Sequence, residues 1–408
     1  MFHTIISSSL SPNTEFDDVL LAFRCLWRPW EWTQGYAIKR VEEWFGKRFP
    51  QYRALSFNSG RSAFFAILKA FGIHEGDEVM VQAFTCVAVP NSIVWAGAKP
   101  IYVDIDTSLN IAVADAEKKV TKRTRAIVVQ HTLGRPARMD KIRIFAKKHN
   151  LIVIEDCAHS LGSRFGGDLA GSMGDAAFFS FGRDKVVSSV FGGMAIIHKR
   201  HEQPWTRLRD FHKLLPKSRK YWIFQQLLHP VVFAVILPLY TVGIGKVILV
   251  LCQRLRLLSI PVYPEEKVAR KPRDFPARYP NALAQLVSNQ LKKLEKYNEK
   301  RKIRAQYYME SLKNTTHVEL LSYPEGSIFL RFPILLSDPL SATVKAKKAG
   351  ILIGNWYHNT VDPTGVNFHT IFYVPGSCPR AEHIAKHIVN LPTNISQKDA
   401  ARVLKTIS

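Results

Sequence analysis

Three short segments place chemically useful side chains close to the ends of apolar runs. They are FNSGRSAF (57–64), LIVIEDCAHS (151–160) and FSFGRDKVVSSVFGG (179–193). The amine of Lys185 could bond covalently to a carbonyl group, while the hydroxyl of Ser180 could hold a phosphate. The carboxylate of Asp156 could pair with a protonated ring nitrogen and so support electron withdrawal by that ring. Together, these three side chains indicate a binding site for a cofactor that carries a carbonyl, a pyridine ring and a phosphate.

The loop around Gly60, Arg61 and Ser62 supplies the phosphate part of this hypothesis. Where a helix opens at a glycine and hydroxyl residues, its free N–H groups and its positive end attract a phosphate. Each segment alone has an ordinary alternative: a surface lysine, an Asp156 that caps the next helix, or simple Ser-Gly capping. The order along the chain, phosphate loop, strand with acid and then lysine, favours a pyridoxal phosphate site.

Four apolar runs predict the sheet that would position these groups. They cover Glu78–Ala83, Pro100–Val103, Ala126–Gln130 and Leu151–Ile154, with helical patterns between several of them. Near-continuous Val/Ile runs that alternate with helices indicate a parallel sheet covered on both faces. Ligands of such sheets bind beyond the carboxyl ends of the strands. We therefore predict an α/β fold with a large cofactor-binding domain over residues 1–203.

The remaining chain predicts two further parts. Residues 204–270 contain a hydrophobic, basic-flanked insertion, and residues 271–408 begin with a long amphipathic helix followed by strand-like segments and a final helix. The last part is expected to form a smaller C-terminal α+β domain.

Composition limits the class of protein and its compartment. The 408 residues are 47% hydrophobic and 22% charged, which is typical of a folded globular protein. Five scattered cysteines, with no CxxC pair and no Cys/His cluster, argue against disulfides and against a metal site. We expect a reducing, cytoplasmic compartment, because the N-terminus also lacks a secretory signal pattern. A net charge of +24 predicts an anionic partner.

Several ordered stretches resemble the DegT/DnrJ/EryC1/StrS sugar aminotransferases, which have the type I pyridoxal-phosphate fold. The stretches are GDEVMVQAFT, GAKPIYVDID, TRAIVVQHTLGRPARMDKI, VIEDCAHSLGSRFGG, GSMGDAAFFSF and NQLKKLEKYNEKR. The resemblance runs from about residue 35 to the C-terminus, apart from the insertion. It implies a homodimer that passes an amino group from an amino acid, commonly glutamate, to a keto sugar linked to a nucleotide. The hydrophobic insertion suggests a lipid-linked sugar for a surface glycan as an alternative acceptor.

The resemblance also implies the role of each site residue. Lys185 would hold pyridoxal phosphate and move the proton, Asp156 would pair with the pyridine nitrogen, and His159 would lie at the ring. Ser180, Ser62 and the backbone of Gly60–Arg61 would bind the phosphate. Lys185 argues against the related sugar dehydratases, which have histidine at that position.

Four positions depart from the family pattern. Cys86 stands where an aromatic residue would stack on the cofactor, and Phe84, two residues earlier on a strand, would take over that role. Arg61 replaces a threonine, and Phe191 replaces an acidic residue. Pro276 replaces an asparagine in the segment that reaches the partner subunit, where Arg278 would supply the phosphate contact instead.

Four other residues are candidates for the substrate side of the site. His131 follows a predicted strand and matches a histidine of the family; its alternative is a hydrogen-bonded loop histidine. Trp356, Tyr357 and His358 lie in a small-domain loop that related enzymes place near the substrate.

The insertion contains VVFAVILPLYTVGIGKVILVLC (231–252), with Lys246 as its single charge. As a straight helix this segment would extend about 33 Å, close to the thickness of a bilayer core. Pro230, Pro238, Gly243 and Gly245 are expected to interrupt such a helix. A single crossing would divide one domain between two sides of the membrane. We therefore predict a monotopic hairpin on an anionic cytoplasmic membrane face, with a buried helix pair as the alternative.

Two rival functions remain at this point. The first is a catalytically retired protein of the same fold with a regulatory or nucleic-acid-binding role, although no helix-turn-helix or zinc pattern supports it. The second is a membrane-bound enzyme of the same cofactor class that condenses an acyl group with an amino acid. The resemblance to sugar aminotransferases disfavours both.

Overall fold

The computed structural model describes residues 5–240 and 242–407. Its strands are β1 (Ile6–Ser7), β2 (Tyr52–Phe57), β3 (Glu78–Gln82), β4 (Thr85–Cys86), β5 (Lys99–Val103), β6 (Thr124–Gln130), β7 (Ile152–Asp156), β8 (Arg164–Phe165), β9 (Asp168–Leu169), β10 (Ala176–Ser180), β11 (Gly193–His198), β12 (Val318–Leu320), β13 (Arg331–Leu336), β14 (Ile351–Leu352), β15 (Val361–Asp362) and β16 (Ile388–Pro392). Its α-helices are α1 (Phe16–Leu26), α2 (Tyr36–Arg48), α3 (Gly60–Ala70), α4 (Ala88–Trp95), α5 (Val113–Lys119), α6 (Met139–Lys148), α7 (Glu202–Leu214), α8 (Lys220–Ile236), α9 (Ile244–Arg254), α10 (Asn281–Leu291), α11 (Leu294–Leu312), α12 (Pro339–Lys348), α13 (Pro379–His387) and α14 (Gln397–Ile407).

A seven-stranded sheet forms the centre of the molecule, in the order β2-β11-β10-β7-β6-β3-β5. The contacts β10–β7, β7–β6, β6–β3 and β3–β5 are parallel, and β11 runs antiparallel to both β10 and β2. The predicted α/β fold with a mostly parallel sheet is confirmed. The four apolar runs singled out in the sequence correspond to β3, β5, β6 and β7, because strands buried on both faces must be apolar along their whole length.

The start of α3 lies against the ends of β10 and β11. Phe64 of α3 stacks on Phe178 of β10, with ring centroids 4.7 Å apart. The pairing of β10 with β7 places Phe178 opposite Asp156, so the loop after β10 emerges beside the end of β7. The three segments that carry the predicted chemistry therefore meet at one edge of the sheet.

The C-terminal part contains the smaller antiparallel sheet β12-β13-β16, covered by α11, α12 and α14. The N-terminal strand β1 pairs in parallel with β14, so the first described residues join this smaller part rather than the large sheet. Helix α7 packs beside α3, within the body that contains the large sheet. The predicted division at residues 203 and 270 stays a prediction.

The hydrophobic insertion is folded as two helices, α8 and α9, that pack on each other. Pro230 lies inside α8 without ending it, contrary to our expectation, and the break falls after Ile236, with Gly243 at a φ of 87° before α9. Thr241, within the segment, lies outside the described residues. Among residues 5–240 and 242–407, none of the helices has both the length and the apolar character that a bilayer crossing requires.

A close backbone approach at Gly193 holds the start of α3 in place. A Cβ atom at Gly193 would lie 2.4 Å from the carbonyl carbon of Ser59 and 2.6 Å from the nitrogen of Gly60. We expect Gly193→Ala to displace this loop and to lower the free energy of unfolding by about 1–3 kcal/mol. Denaturant-induced unfolding of the purified variant measures the change.

Gly46, inside α2, gives the matched control, because a Cβ atom there meets no heavy atom within 4 Å. Gly46→Ala is expected to raise the free energy of unfolding by about 0.5–1 kcal/mol, through the lower backbone entropy of the unfolded chain. A Gly193→Ala protein as stable as the wild type would contradict the proposed steric constraint.

Candidate active site

The carboxyl ends of β7 and β10 open into a cavity of about 570 Å³. This volume is typical of small-molecule binding sites. Asp156, Ser180 and Lys185 line it, together with Ser59 and Gly60 at the start of α3. Residues from all three chemically interesting segments therefore surround a single space.

Asp156, the last residue of β7, is buried and lines the cavity. Its Oδ1 accepts a hydrogen bond of 2.9 Å from the backbone N–H of Ala158. Burial raises the pKa of Asp156 to about 6, although this hydrogen bond and the positive charge of Lys185 act in the opposite direction. A cationic partner, such as a protonated ring nitrogen, would stabilise the ionised form of this buried carboxyl group.

The preceding residue, Glu155, belongs to a different network because side chains alternate along a strand. Its carboxylate bonds to His131 Nε2 at 2.9 Å and accepts three backbone hydrogen bonds of 2.7–2.8 Å from Gly171, Met173 and Gly174. The second ring nitrogen of His131 accepts from the N–H of Ala137. His131 is therefore fully engaged as a partner of Glu155 and lies outside the cavity lining, and its predicted substrate role finds no geometric support here. Cys157 approaches this pair, but protein groups already hold both the carboxylate and the ring.

Lys185 and His159 are in direct contact, with 2.9 Å between Lys185 Nζ and His159 Nε2. Burial holds the pKa of His159 well below its ordinary value, so the ring is neutral. Its Nδ1 accepts from the N–H of Leu133 at 3.3 Å, which fixes the orientation of the ring. The contact with His159 therefore holds the Lys185 amine at the cavity.

The first turn of α3 can hold a phosphate next to Ser180. A Cβ atom at Gly60 would lie 2.8 Å from Ser180 Cβ, so only glycine allows this approach. The side chain of Ser59 caps the helix by accepting from the N–H of Ser62, and the hydroxyl of Ser62 donates to Asn58 Oδ1 at 2.8 Å. Backbone N–H groups at this helix end and the Ser180 hydroxyl remain for an anion. The Ser62 side chain points to the cap and does not line the cavity.

Arg61 is held by residues that follow the insertion. Its guanidinium forms a buried ion pair with Glu266, donates to the carbonyl of Pro261 at 2.7 Å, and stacks on the ring of Phe275 at 4.9 Å. Arg61 lines the cavity, but Glu266 already neutralises its charge. A phosphate at this helix end is therefore expected to depend on backbone N–H groups more than on the Arg61 side chain.

Tyr357 is the aromatic side chain beside the reactive residues. Its ring lies nearly parallel to that of His159, with centroids 6.2 Å apart, and it lines the cavity with Trp356 and Cys86. Phe84 packs behind Tyr357 in an edge contact of 5.2 Å and is fully buried outside the cavity lining. The small domain thus brings an aromatic residue to the place where the sequence suggested Phe84.

Two other predicted residues do not line the cavity of their own subunit. Arg278 donates to the backbone carbonyl of Lys213, and His358 contacts Asp362 at 2.8 Å and Thr364 at 2.6 Å. Their predicted roles toward a phosphate and a substrate stay predictions.

Several residues that line the cavity were not predicted from the sequence. Arg331, buried in an otherwise apolar strand, pairs with Asp184 at 2.7 Å and stacks on Trp356 at 3.9 Å. Its charge and that of Lys185 hold the pKa of Asp184 below its usual range, although burial opposes this. An arginine inside an apolar run was the available signal. The N-terminal segment Ser9–Ser11 also lines the cavity, and nothing in its composition indicates this position.

The chain also matches a protein family. The model of the DegT/DnrJ/EryC1/StrS aminotransferase family matches residues 18–223 and 251–408. The chain belongs to that family. Residues 224–250, which the match leaves out, coincide with the central part of the insertion.

The curated relative described next matches a shorter stretch of the chain. The two solved structures show only that the fold is similar. The GDP-perosamine synthase of Escherichia coli O157:H7 is 38% identical over 177 residues, which is 43% of this chain and 49% of that protein. The chain thus spans about half the length of this curated relative. The crystal structure of S. venezuelae DesV superposes with a TM-score of 0.73 at 22% identity, over 96% of this chain and 93% of that one. The E coli GDP-4-keto-6-deoxy-D-mannose-3-dehydratase gives 0.75 at 20% identity, over 100% of both chains.

Burial of Asp156 predicts a stability cost in the cofactor-free protein. The pKa of Asp156 lies near 6 in the folded chain, above its ordinary value of 3.8. Above pH 6 the ionised group therefore opposes folding, and this penalty disappears as the pH falls from about 6 toward about 4. We expect Asp156→Asn to raise the free energy of unfolding at about pH 7.5 by on the order of 2 kcal/mol.

Denaturant unfolding of cofactor-free wild type and Asp156→Asn, at about pH 7.5 and about pH 5, tests this expectation. The advantage of the variant should shrink at the lower pH, while its affinity for the cofactor should be reduced. A variant that is less stable than the wild type at both pH values would show that burial of the charge is not the dominant effect.

Proposed function

We propose that this chain is a pyridoxal-phosphate-dependent aminotransferase that moves an amino group from an amino acid to a keto sugar. The meeting of Lys185, Asp156 and the first turn of α3 around one cavity carries this proposal. Glutamate is the proposed donor, and the proposed acceptor is a keto sugar linked to a nucleotide or a lipid, for the synthesis of a surface glycan. The family match and the names of the relatives support an acceptor of this class.

Each proposed role follows from the position of the residue. Bound pyridoxal phosphate would supply an aldehyde and an electron-withdrawing ring. The amine of Lys185 would hold that group and afterwards carry the proton between carbon atoms. Asp156 would keep the ring nitrogen protonated, His159 would orient the lysine amine, and the N–H groups of Gly60 with Ser180 would bind the phosphate.

The alternatives are less well supported. A retired, regulatory protein is not favoured, because the lysine, the acid and the phosphate-binding turn are all retained around an open cavity. The acyl-transferring alternative has no support in the family match. Lys185 also disfavours a dehydratase, in spite of the similar fold of one such enzyme, because the related dehydratases have histidine at this position.

Reduction with borohydride tests the function most directly. Purified protein saturated with pyridoxal phosphate is reduced, digested and mapped by mass spectrometry, and we expect a pyridoxyl adduct on the peptide that contains Lys185. Lys267 is an internal control, because it also lines the cavity but donates its amine to the carbonyl of Thr364 at 2.9 Å. An adduct on Lys267 alone, or no adduct on folded and saturated protein, would refute the proposed function.

We further propose a homodimer in which the segment around Arg278 approaches the partner's cavity. Within one subunit the Arg278 guanidinium contacts a backbone carbonyl, and its Nε has no hydrogen-bond partner among the described residues. A phosphate bound in the partner subunit's cavity would accept hydrogen bonds from the Arg278 guanidinium.

An anionic membrane surface at the cytoplasmic face is the proposed location. One face of α9 exposes apolar side chains at helical spacing, namely Ile244, Val247, Leu251 and Leu255, each more than half exposed. Lys246, Arg254 and Arg256 lie beside this face, and basic residues next to an anionic leaflet contribute about 1 kcal/mol each. A second copy of this basic chain would repel these cations. Apolar residues surrounded by cations therefore favour an anionic lipid surface over a second copy of the chain.

Co-sedimentation with lipid vesicles measures this location. We expect the protein to bind phosphatidylglycerol vesicles more strongly than phosphatidylcholine vesicles, and the double variant Val247→Glu/Leu251→Glu to bind at least about tenfold more weakly. Leu249→Asn, on another face of the same helix, is the control and should bind normally. If the double variant bound vesicles normally but lost its dimeric state in solution, the face would be a subunit contact instead.

A further inference from the structure

The insertion forms one wall of the candidate active site. Phe233 of α8, Leu249 of α9 and the following residues Leu258 and Val262 line the same cavity as Lys185 and Asp156. Phe233 and Leu258 are buried, and Leu249 is half-buried. The family model matches neither Phe233 nor Leu249, since both lie in residues 224–250. Phe233 and Leu249 therefore come from the part of this chain that the family match leaves out, whereas Leu258 and Val262 lie within the matched part.

Helix α9 separates the cavity from the exterior. Leu249 and Gln253, four residues apart, share the face that lines the cavity, while Val247 and Leu251 lie on the exposed face. Cys252 packs toward α8 between these two faces. Gln253 is both part of the lining and exposed to solvent, so the cavity reaches the surface beside the apolar outer face of α9. A ligand longer than the cavity would leave it at this edge.

His229 and Arg183, which also line the cavity, each have a nitrogen atom without a hydrogen-bond partner among the described residues. His229 is 1% exposed and lines the cavity, and its Nε2 has no hydrogen-bond partner in the described part of the chain. Its Nδ1 lies 3.5 Å from the hydroxyl of Ser11. Arg183, half-buried at the junction of the lysine loop and the insertion, donates to the carbonyl and hydroxyl of Ser259. Within residues 5–240 and 242–407, Arg183 forms no ion pair with a carboxylate. Buried polar and charged groups of this kind point to a ligand that supplies an acceptor and a negative charge.

We propose that the acceptor is an amphiphile, with an anionic phosphate group at Arg183 and His229 and an apolar chain along Phe233, Leu249 and Leu258. This inference rests on the proposed aminotransferase function and selects the lipid-linked form of its acceptor. A nucleotide shares the phosphate but carries a base and a ribose, whose polar groups would face apolar side chains in this wall without hydrogen-bond partners. An apolar chain instead removes apolar surface from water on both sides of the contact.

Calorimetry on the full-length protein loaded with pyridoxal phosphate can test this proposal. The probes are farnesyl diphosphate below its micelle-forming concentration, inorganic diphosphate and UDP. We expect farnesyl diphosphate to bind at least about tenfold more tightly than either other probe. Leu249→Asn should weaken its binding by about tenfold, and Leu251→Asn, two residues away on the outer face, should leave it unchanged. The absorbance spectrum of each variant verifies that the cofactor is still bound.

Three outcomes would overturn the inference. UDP could bind more tightly than farnesyl diphosphate, which would assign the wall to a nucleotide. Leu249→Asn and Leu251→Asn could weaken the binding of farnesyl diphosphate equally, which would indicate adsorption to the outer face of α9. Arg183→Gln could lose the cofactor while farnesyl diphosphate affinity stays unchanged, which would assign Arg183 to the cofactor phosphate. A borohydride adduct on Lys185 together with any of these results leaves the aminotransferase proposal intact, whereas a missing adduct refutes that proposal separately.

Discussion

The burial of one carboxyl group, that of Asp156, is the constraint on which the rest of the site depends. A carboxylate at the end of a strand covered on both faces loses most of its hydration, and either a proton or a cationic partner must offset this cost. Alternation along β7 gives Glu155 a full set of protein hydrogen bonds, while Asp156 receives one from the backbone of Ala158. The sheet therefore makes one acid structural and leaves the other for a ligand. Lys185 and the first turn of α3 line the same cavity as that second acid.

This arrangement explains which features were predictable from the sequence. The strands of the large sheet were, because a doubly covered strand must be apolar throughout. The meeting of Asp156, Lys185 and the first turn of α3 at one cavity was predictable for the same reason. The burial of Phe84 behind Tyr357 was not, although the loop that carries Trp356 and Tyr357 was expected near the substrate. Alternation places Phe84 on the same side as Cys86, but the small domain inserts Tyr357 between Phe84 and the cavity, and no local pattern encodes that packing. His131 likewise has a sequence position that suits a ligand and a hydrogen-bond network that occupies it.

The insertion shows a similar division between local and tertiary causes. Its length and apolar character were evident, as was the need for its two ends to stay with one folded body. Trp222 and Ile223, in the first half of α8, are buried in the main core, whereas Phe233, in the second half, lines the cavity. Pro230 between them stays helical because α8 is packed on both sides of it. Trp222 and Ile223 pack in the main core, and Phe233 packs in the cluster that includes Cys252 of α9. Removing residues 221–258 would therefore open the core as well as the site.

The faces of α9 connect the proposed substrate with the proposed location. An exposed apolar face costs free energy in water unless something covers it, and an apolar cavity wall is equally unfavourable when filled by water. A bilayer surface would cover Val247 and Leu251, and an apolar chain that enters from that surface would cover Leu249 and Phe233. Both costs are then relieved by the same partner. An enzyme with only a soluble nucleotide substrate would relieve neither, so the two faces of this helix favour one explanation, an amphiphilic acceptor taken from the membrane.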